Sequence, residues 1–486
     1  MIELGRTGGS FGPSSVGGWL SCAGSGGGYA WPKPKSEWWP GVGRISTKVR
    51  KLEDRQACHS HNSSKPPSSD GLNKPAPKSL RTKTGRKPGG QPGHKGPTLQ
   101  PVKKPDHFQG HPLQRCSCGQ CGGVLLTGQP VLDYERRQVF DLPPLRLTVT
   151  EHQAEIKQCP SSGLTVKATF PAGVEAPGQY GPHFRGLALY LFNQQLLPFD
   201  RLRQTSLDLF GQPLSLGTLT QINHRAYQTL APVEAAIIRA LIQAPVLNVD
   251  ESGLRVAGSL HWLHVAGTSR LTYYGVHSRR GSAAMDALGR FPHYRFWLGH
   301  DHWKPYDKYD ALHALCNQHL LRELKFLWEE HQQAWADQLS RFLLDWKDDP
   351  LTRAGLDETQ FKRAHARYQA ILRQGRRRHP RRQPGQGRTK QCKAANMRDR
   401  LEDFELCVLA CLLDPNVPCP NNQGEPDIRM SKVKQKISGC FRTLLGAQEF
   451  ARIRSYLSTC RKQGRNLWQA CYQLAIGQPF FPNSGP

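Results

Sequence analysis

Two aspartates, Asp250 and Asp301, each follow a short apolar run in a chain of 486 residues. Pro245-Val-Leu-Asn-Val-Asp250 reads as a strand ending in a carboxylate, and Tyr294-Arg-Phe-Trp-Leu-Gly-His-Asp301 reads as another. Carboxylates at the ends of neighbouring strands repel each other unless a cation lies between them, so the pair suits a divalent metal. With a third carboxylate, two magnesium ions held there can activate a water or hydroxyl and stabilise the leaving oxygen of a phosphodiester. The competing reading makes each aspartate a strand-end turn former. Their shared pattern, in a chain of net charge +28, favours the metal.

Cysteines supply a second candidate site. Cys118-Gly-Gln-Cys121 has the two-residue gap of a zinc knuckle, with Cys116 two residues before it. The matching segment, Gln158-Cys-Pro-Ser-Ser-Gly163, holds only Cys159. Cys118, Cys121 and Cys159 can bind zinc if Cys116 or a nearby histidine supplies the fourth ligand; a degenerate knuckle is the alternative. Cys316-Asn-Gln-His319 places an i, i+3 pair on one helix face, a metal pair or a packing feature, and with no other ligand near in sequence it is read as packing. Most other cysteines are scattered singly and are read as reduced thiols.

The elements that must position these residues emerge from composition and periodicity. Residues 1–45 hold twelve glycines and little apolar pattern, and are read as a disordered leader, either native or the product of a misassigned or rearranged start. Residues 46–111 form a basic, proline-rich arm: from Ile45 to Pro112 there are fourteen Lys or Arg against four Asp or Glu. Such a segment can lie along phosphates or serve only as a solubilising linker. Residues 112–175 read as a zinc-ribbon-like β segment. Residues 176–240 read as helical: Phe199–Phe210, a break at Gly211, then a Ser215-capped helix from Leu216 outline a helix-turn-helix or a structural hairpin. Residues 241–328 read as three strands, a helix and a strand. Residues 329–414 read as a helical insertion interrupted by the basic stretch Arg376–Arg388, and 415–486 as the closing part of the core with C-terminal helices. Lys plus Arg is 66 against 38 Asp plus Glu, and the pI is about 9.8, which fits a polyanionic partner. With a mean hydropathy of −0.58, no long apolar run and no signal-peptide pattern, a cytoplasmic protein without a membrane span is expected.

The chain resembles transposases of the insertion sequence 66 family over roughly residues 60–482. The resemblance rests on Asn62-Ser-Ser-Lys-Pro-Pro-Ser-Ser-Asp70, Gly85-Arg-Lys-Pro-Gly-Gly-Gln-Pro-Gly-His94, Val249-Asp-Glu-Ser-Gly253 and His300-Asp-His-Trp-Lys-Pro-Tyr306. It continues through Cys316-Asn-Gln-His-Leu-Leu-Arg-Glu-Leu324, Asn421-Asn-Gln-Gly-Glu-Pro-Asp-Ile-Arg429, Lys434-Gln-Lys-Ile-Ser-Gly439 and Arg452-Ile-Arg-Ser-Tyr-Leu457, in that order. It implies an α/β fold, a ribonuclease H-like core with a helical insertion, and a DDE enzyme in which Asp250 and Asp301 are the first two catalytic acids. The third acid is then Glu425, with Glu323 as rival. The implied activity is metal-assisted cutting at transposon ends and joining of the freed 3′ hydroxyls to target DNA, in a homo-oligomer helped by accessory proteins of the same element. Three departures stand out: the leader, Ser162 where the family has cysteine, and Pro426 directly after Glu425, which fits only if Glu425 lies in a helix's first turn. They support an alternative, a decayed copy that binds DNA without cutting it. A nuclease on the same fold is a third reading.

Overall fold

The computed structural model describes residues 99–112, 130–289, 291–381, 391–419 and 424–483, with isolated positions between 49 and 63. The leader, most of the basic arm, Cys116, Cys118, Cys121 and the basic stretch 382–390 lie outside the described residues. The chain divides into two units, Met1–Ala57 and Cys58–Pro486. In the first, the described positions Val49, Leu52, Glu53, Asp54, Gln56 and Ala57 are helical.

The second unit is mixed α/β. A hairpin of β1 (Ile156–Gln158) and β2 (Thr165–Lys167) stands apart from a five-stranded sheet. That sheet contains β3 (Val246–Val256), β4 (Ser259–Gly267), β5 (Thr272–His277), β6 (Trp297–His300) and β7 (Leu312–Leu315), in the order β5-β4-β3-β6-β7. β3, β4 and β5 form an antiparallel meander, whereas β6 and β7 run parallel to β3. Side chains alternate between faces along a strand. Leu247 and Val249 therefore enter one core, while Leu254 and Val256 enter a second core on the opposite face.

The first core is closed by helices that precede the sheet: α1 (Pro182–Leu189), α2 (Phe199–Phe210), α3 (Leu216–Thr229) and α4 (Ala231–Ile242). Gly211 ends α2 in the left-handed conformation at φ 68°, and the Ser215 hydroxyl caps α3 by accepting from the Thr218 N–H at 3.1 Å. α1 passes into a π-helical turn, Tyr190–Gln194, and so ends earlier than its apolar run suggests. These helices share the core of the sheet, so the expected boundary at residue 240 does not separate two hydrophobic cores.

Between β5 and β6 lies the short helix α5 (Ser282–Ala287). After β7 come α6 (Asn317–His331) and then the insertion: α7 (Ala334–Asp348), α8 (Pro350–Ala354), α9 (Glu358–Arg378), α10 (Lys393–Asp403), α11 (Glu405–Val408) and α12 (Ala410–Leu413). α13 (Gly424–Ser438) lies over β3 and β4, followed by α14 (Leu444–Lys462) and α15 (Leu467–Ala475).

The sheet corrects three expectations. β3 does not end at Asp250 but continues to Val256, because Ala257 and Gly258, both at positive φ, close a tight hairpin into β4. β6 begins at Trp297 rather than Tyr294, whose buried hydroxyl donates to the carbonyls of Ala244 and Trp297. Leu312 opens a fifth strand where residues 241–328 were expected to hold four. Cys411 and Cys419 are joined in a disulfide with Cα atoms 5.1 Å apart, so these two are not the lone thiols expected. Among the described residues, no helix is long and apolar enough to cross a membrane.

His264 on β4 carries a measurable consequence of this packing. Burial pushes its pKa down to about 4. The unfolded chain binds that proton near pH 6.5, so stability is lost as pH falls from there towards the folded value. Between pH 6.5 and pH 5 this amounts to about 2 kcal/mol. Urea unfolding at both pH values should show the wild type losing that much more than His264→Leu.

Candidate active site

The register between β3 and β6 brings the two aspartates together. Val246 pairs with Trp297, Leu247 with Leu298 and Asn248 with Gly299. Two residues further along, Asp250 is level with Asp301, on strands about 4.8 Å apart. The parity is informative too: Leu247 and Leu298 share one core, so Asp250 and Asp301 both lie on the opposite face, the one covered by α13. Asp301 directly follows β6, at the carboxyl end of the parallel strands, where open α/β sheets hold ligands.

Asp250 is crowded by negative charge. Burial, then the carboxylates of Glu251 and Asp301, push its pKa up to about 7, partly offset by His319 in the first turn of α6. Burial disfavours a charge on His319, but neighbouring Cys316 and Asp301 outweigh it and raise its pKa to about 9. Lys432 on α13 also feels the charge of Asp250, and its Nζ donates to the Gly253 carbonyl at 3.5 Å. Two hard oxygen donors whose like charges disfavour ionisation are the donor set a divalent cation would relieve.

The loop carrying Asp301 is held by neighbours whose supporting roles the sequence alone does not reveal. Asp301 Oδ1 accepts from the Trp303 N–H at 2.9 Å. His302 sits at φ 67°, outside the usual range for a residue with a side chain, and its N–H donates to His300 Nδ1 at 3.1 Å. His300 Nε2 lies 3.0 Å from His313 Nδ1, and His313 Nε2 lies 3.1 Å from the Tyr309 carbonyl. A carbonyl only accepts, so His313 carries its proton on Nε2, His300 does likewise, and His300 Nδ1 is free to accept from the backbone. Both rings are therefore neutral in this chain of bonds, in keeping with burial pushing the pKa of His300 down to about 3. The sequence signal was two histidines, His300 and His313, on runs now seen to be adjacent strands.

Glu251 is adjacent to Asp250 in sequence yet points to the other face, where both of its oxygens are occupied. Arg280 donates to Oε1, through Nε at 3.1 Å and through Nη2, and the Tyr306 hydroxyl donates to Oε2 at 2.7 Å. Glu323 on α6 is paired with Arg400 of the insertion. Glu425 is the second residue of α13, three positions before Ile428 in the second core and seven before Lys432; its side chain lies outside the described residues. Pro426 is thus in the first turn, where its missing N–H breaks no helical bond. Among the described residues no group of three His, Cys, Asp or Glu side chains is placed to hold a metal ion.

Of the proposed zinc ligands, Cys159 alone is described. It opens the turn between β1 and β2: its N–H donates to the Leu164 carbonyl at 2.8 Å, and Gly163 takes φ 69°. Hydrogen bonds from the Ser162 side chain and backbone lower the Cys159 thiol pKa.

The model of the transposase IS66 family matches residues 177–449, more than half of the chain and the whole span from α1 into α14. The chain belongs to the IS66 transposase family. A second match, to the zinc-finger binding domain of transposase IS66, covers residues 115–161 and so spans Cys116, Cys118, Cys121 and Cys159. A third, to a family of unknown function (DUF6444), covers residues 37–100. No curated protein matches the chain. The IS66 match encloses Asp250, Asp301, Glu323 and Glu425.

Proposed function

We propose that this chain is a DDE transposase on a ribonuclease H-like core, which cuts at the ends of an insertion sequence and joins the 3′ hydroxyl ends to target DNA. The observation that carries this reading is the placement of Asp250 level with Asp301, on one face of parallel β3 and β6, in a chain of the IS66 family. The antiparallel meander continued by two parallel strands supports the core assignment.

Asp250, Asp301 and Glu425 would hold two magnesium ions, which when bound supply activation of the attacking oxygen and stabilisation of the leaving one. The residues around them do the rest. The Trp303 N–H orients the Asp301 carboxylate, and the His300–His313 chain fixes the turn behind it. Lys432 and His319 bring positive charge to a site that must receive a phosphodiester. Cys118, Cys121 and Cys159 would hold zinc, and the β1–β2 turn keeps its shape with Ser162 in place of a fourth cysteine. The basic arm, this ribbon and the α2–α3 hairpin would grip DNA, with a homo-oligomer and partner proteins of the element completing the assembly. The decayed-copy reading loses one of its grounds, because Pro426 sits where a helix tolerates it.

The third acid is tested with Glu425→Gln and Glu323→Gln on a DNA fragment carrying the element's own ends, with magnesium. Glu425→Gln should lower cleavage by about a thousandfold, as loss of several kcal/mol of metal-assisted stabilisation implies. Glu323→Gln should retain most activity; the reverse pattern would assign the role to Glu323.

A further inference from the structure

Arg280 lies outside every motif that singled out the acids, in the turn between β5 and α5. Its guanidinium is held between two indoles, 4.7 Å from the ring centroid of Trp262 and 3.9 Å from that of Trp303. It also donates to Glu251, whose side chain is 1% exposed. Each partner leads to one of the two acids. Glu251 follows Asp250 on β3, and its backbone N–H donates to Asp250 Oδ1 at 2.8 Å. Trp303 donates its backbone N–H to Asp301 Oδ1 at 2.9 Å. Tyr306, three residues beyond Trp303, closes the ring by donating to the other oxygen of Glu251. A flat cation stacked between two aromatic faces, with its N–H groups fixed on a carboxylate, is a rigid joint.

We propose that Arg280 is a positioning residue of the active centre: through Glu251 and Trp303 it ties the strand bearing Asp250 to the loop bearing Asp301 and sets the spacing between the two carboxylates. The proposal rests on the metal-site reading above. Arg280 acts at one remove from the metal, so its loss moves metal affinity before it moves the chemistry.

The test uses the full-length chain and Mn2+ as a probe, with binding followed by calorimetry and without DNA. Asp250→Asn identifies which of the bound Mn2+ belongs to this site. Arg280→Lys keeps the charge that balances Glu251 but loses the flat fork that fills the gap between the indoles. It should weaken Mn2+ binding at this site by about tenfold to a hundredfold, the usual range when a group orienting a metal ligand is removed. The magnesium concentration for half-maximal cleavage should rise in parallel, while the rate at saturating magnesium changes less. Trp262→Phe, which loosens one face only and leaves Glu251 paired, should give a smaller shift in the same direction. Unchanged Mn2+ affinity in both variants, whatever happens to their thermal midpoints, overturns the proposal and leaves Arg280 a purely structural contact. A wild type that binds no Mn2+ sensitive to Asp250→Asn overturns the metal-site reading itself, and this proposal with it.

Discussion

Asp250→Asn should abolish magnesium-dependent cleavage, by at least about a thousandfold, while making the metal-free protein more stable above pH 7. The two effects have one origin. Burial and the neighbouring charges of Glu251 and Asp301 raise the Asp250 pKa from its ordinary 3.8 to about 7. A group with a raised folded pKa binds its proton more tightly in the folded state, so its contribution is favourable at low pH and is lost as pH rises through about 7. Above that pH the ionised carboxylate opposes folding, by up to about 4 kcal/mol for a three-unit gap. The neutral amide removes that strain but is a poorer ligand for a hard cation. Magnesium should therefore raise the melting temperature of the wild type and leave Asp250→Asn unmoved, because an ion stabilises only the state that binds it. Scanning calorimetry at pH 8, with and without magnesium, checks both signs.

Lys462→Met should destabilise the fold by about 3–5 kcal/mol, the range seen when one partner of a buried ion pair is removed. Lys462 ends α14, and its Nζ donates to Asp427 Oδ2 at 2.7 Å and to the carbonyls of Thr268 and Leu271 at 2.8 and 3.1 Å. Burial lowers the pKa of Lys462 and raises that of Asp427, so each ion depends on the other. Asp427 is also fixed from β5, where the Tyr274 hydroxyl donates to its carbonyl at 2.8 Å. A methionine in place of Lys462 would leave the carboxylate buried without a cation and loosen α13, the helix that begins with Gly424 and Glu425. Adding Asp427→Asn should recover a large share of the loss, because the orphaned charge, rather than the missing attraction, is the main cost. Guanidinium unfolding of both single variants and the double variant measures this as a cycle.

The candidate acids and the helices before the sheet were legible because they depend on local patterns. An apolar run followed by Asp marks both Asp250 and Asp301, and the Gly211 and Ser215 signals delimited α2 and α3 correctly. The extent of β3 was misread because its second half pairs with β4 rather than β6, through a turn at Ala257-Gly258 whose positive φ values no apolar period reveals. The four-residue strand β7 was too short to show an alternation against the helix that follows. The roles of Arg280, Tyr306 and His313 escaped notice for a different reason: each rests on pairing between segments 13 to 55 residues apart. The Cys411–Cys419 pairing likewise depends on how the chain turns after α12.

Metal-dependent DNA cutting by Asp250 and Asp301 is the core of the proposed function. It is tested most directly by incubating the wild type and Asp301→Asn with supercoiled DNA bearing the element's own ends, with and without magnesium. The wild type should release 3′ hydroxyl ends at the element's termini, only with magnesium, and Asp301→Asn should release none although both bind the DNA. Cleavage that survives Asp301→Asn, or a wild type that binds the ends and never cuts them, would contradict it.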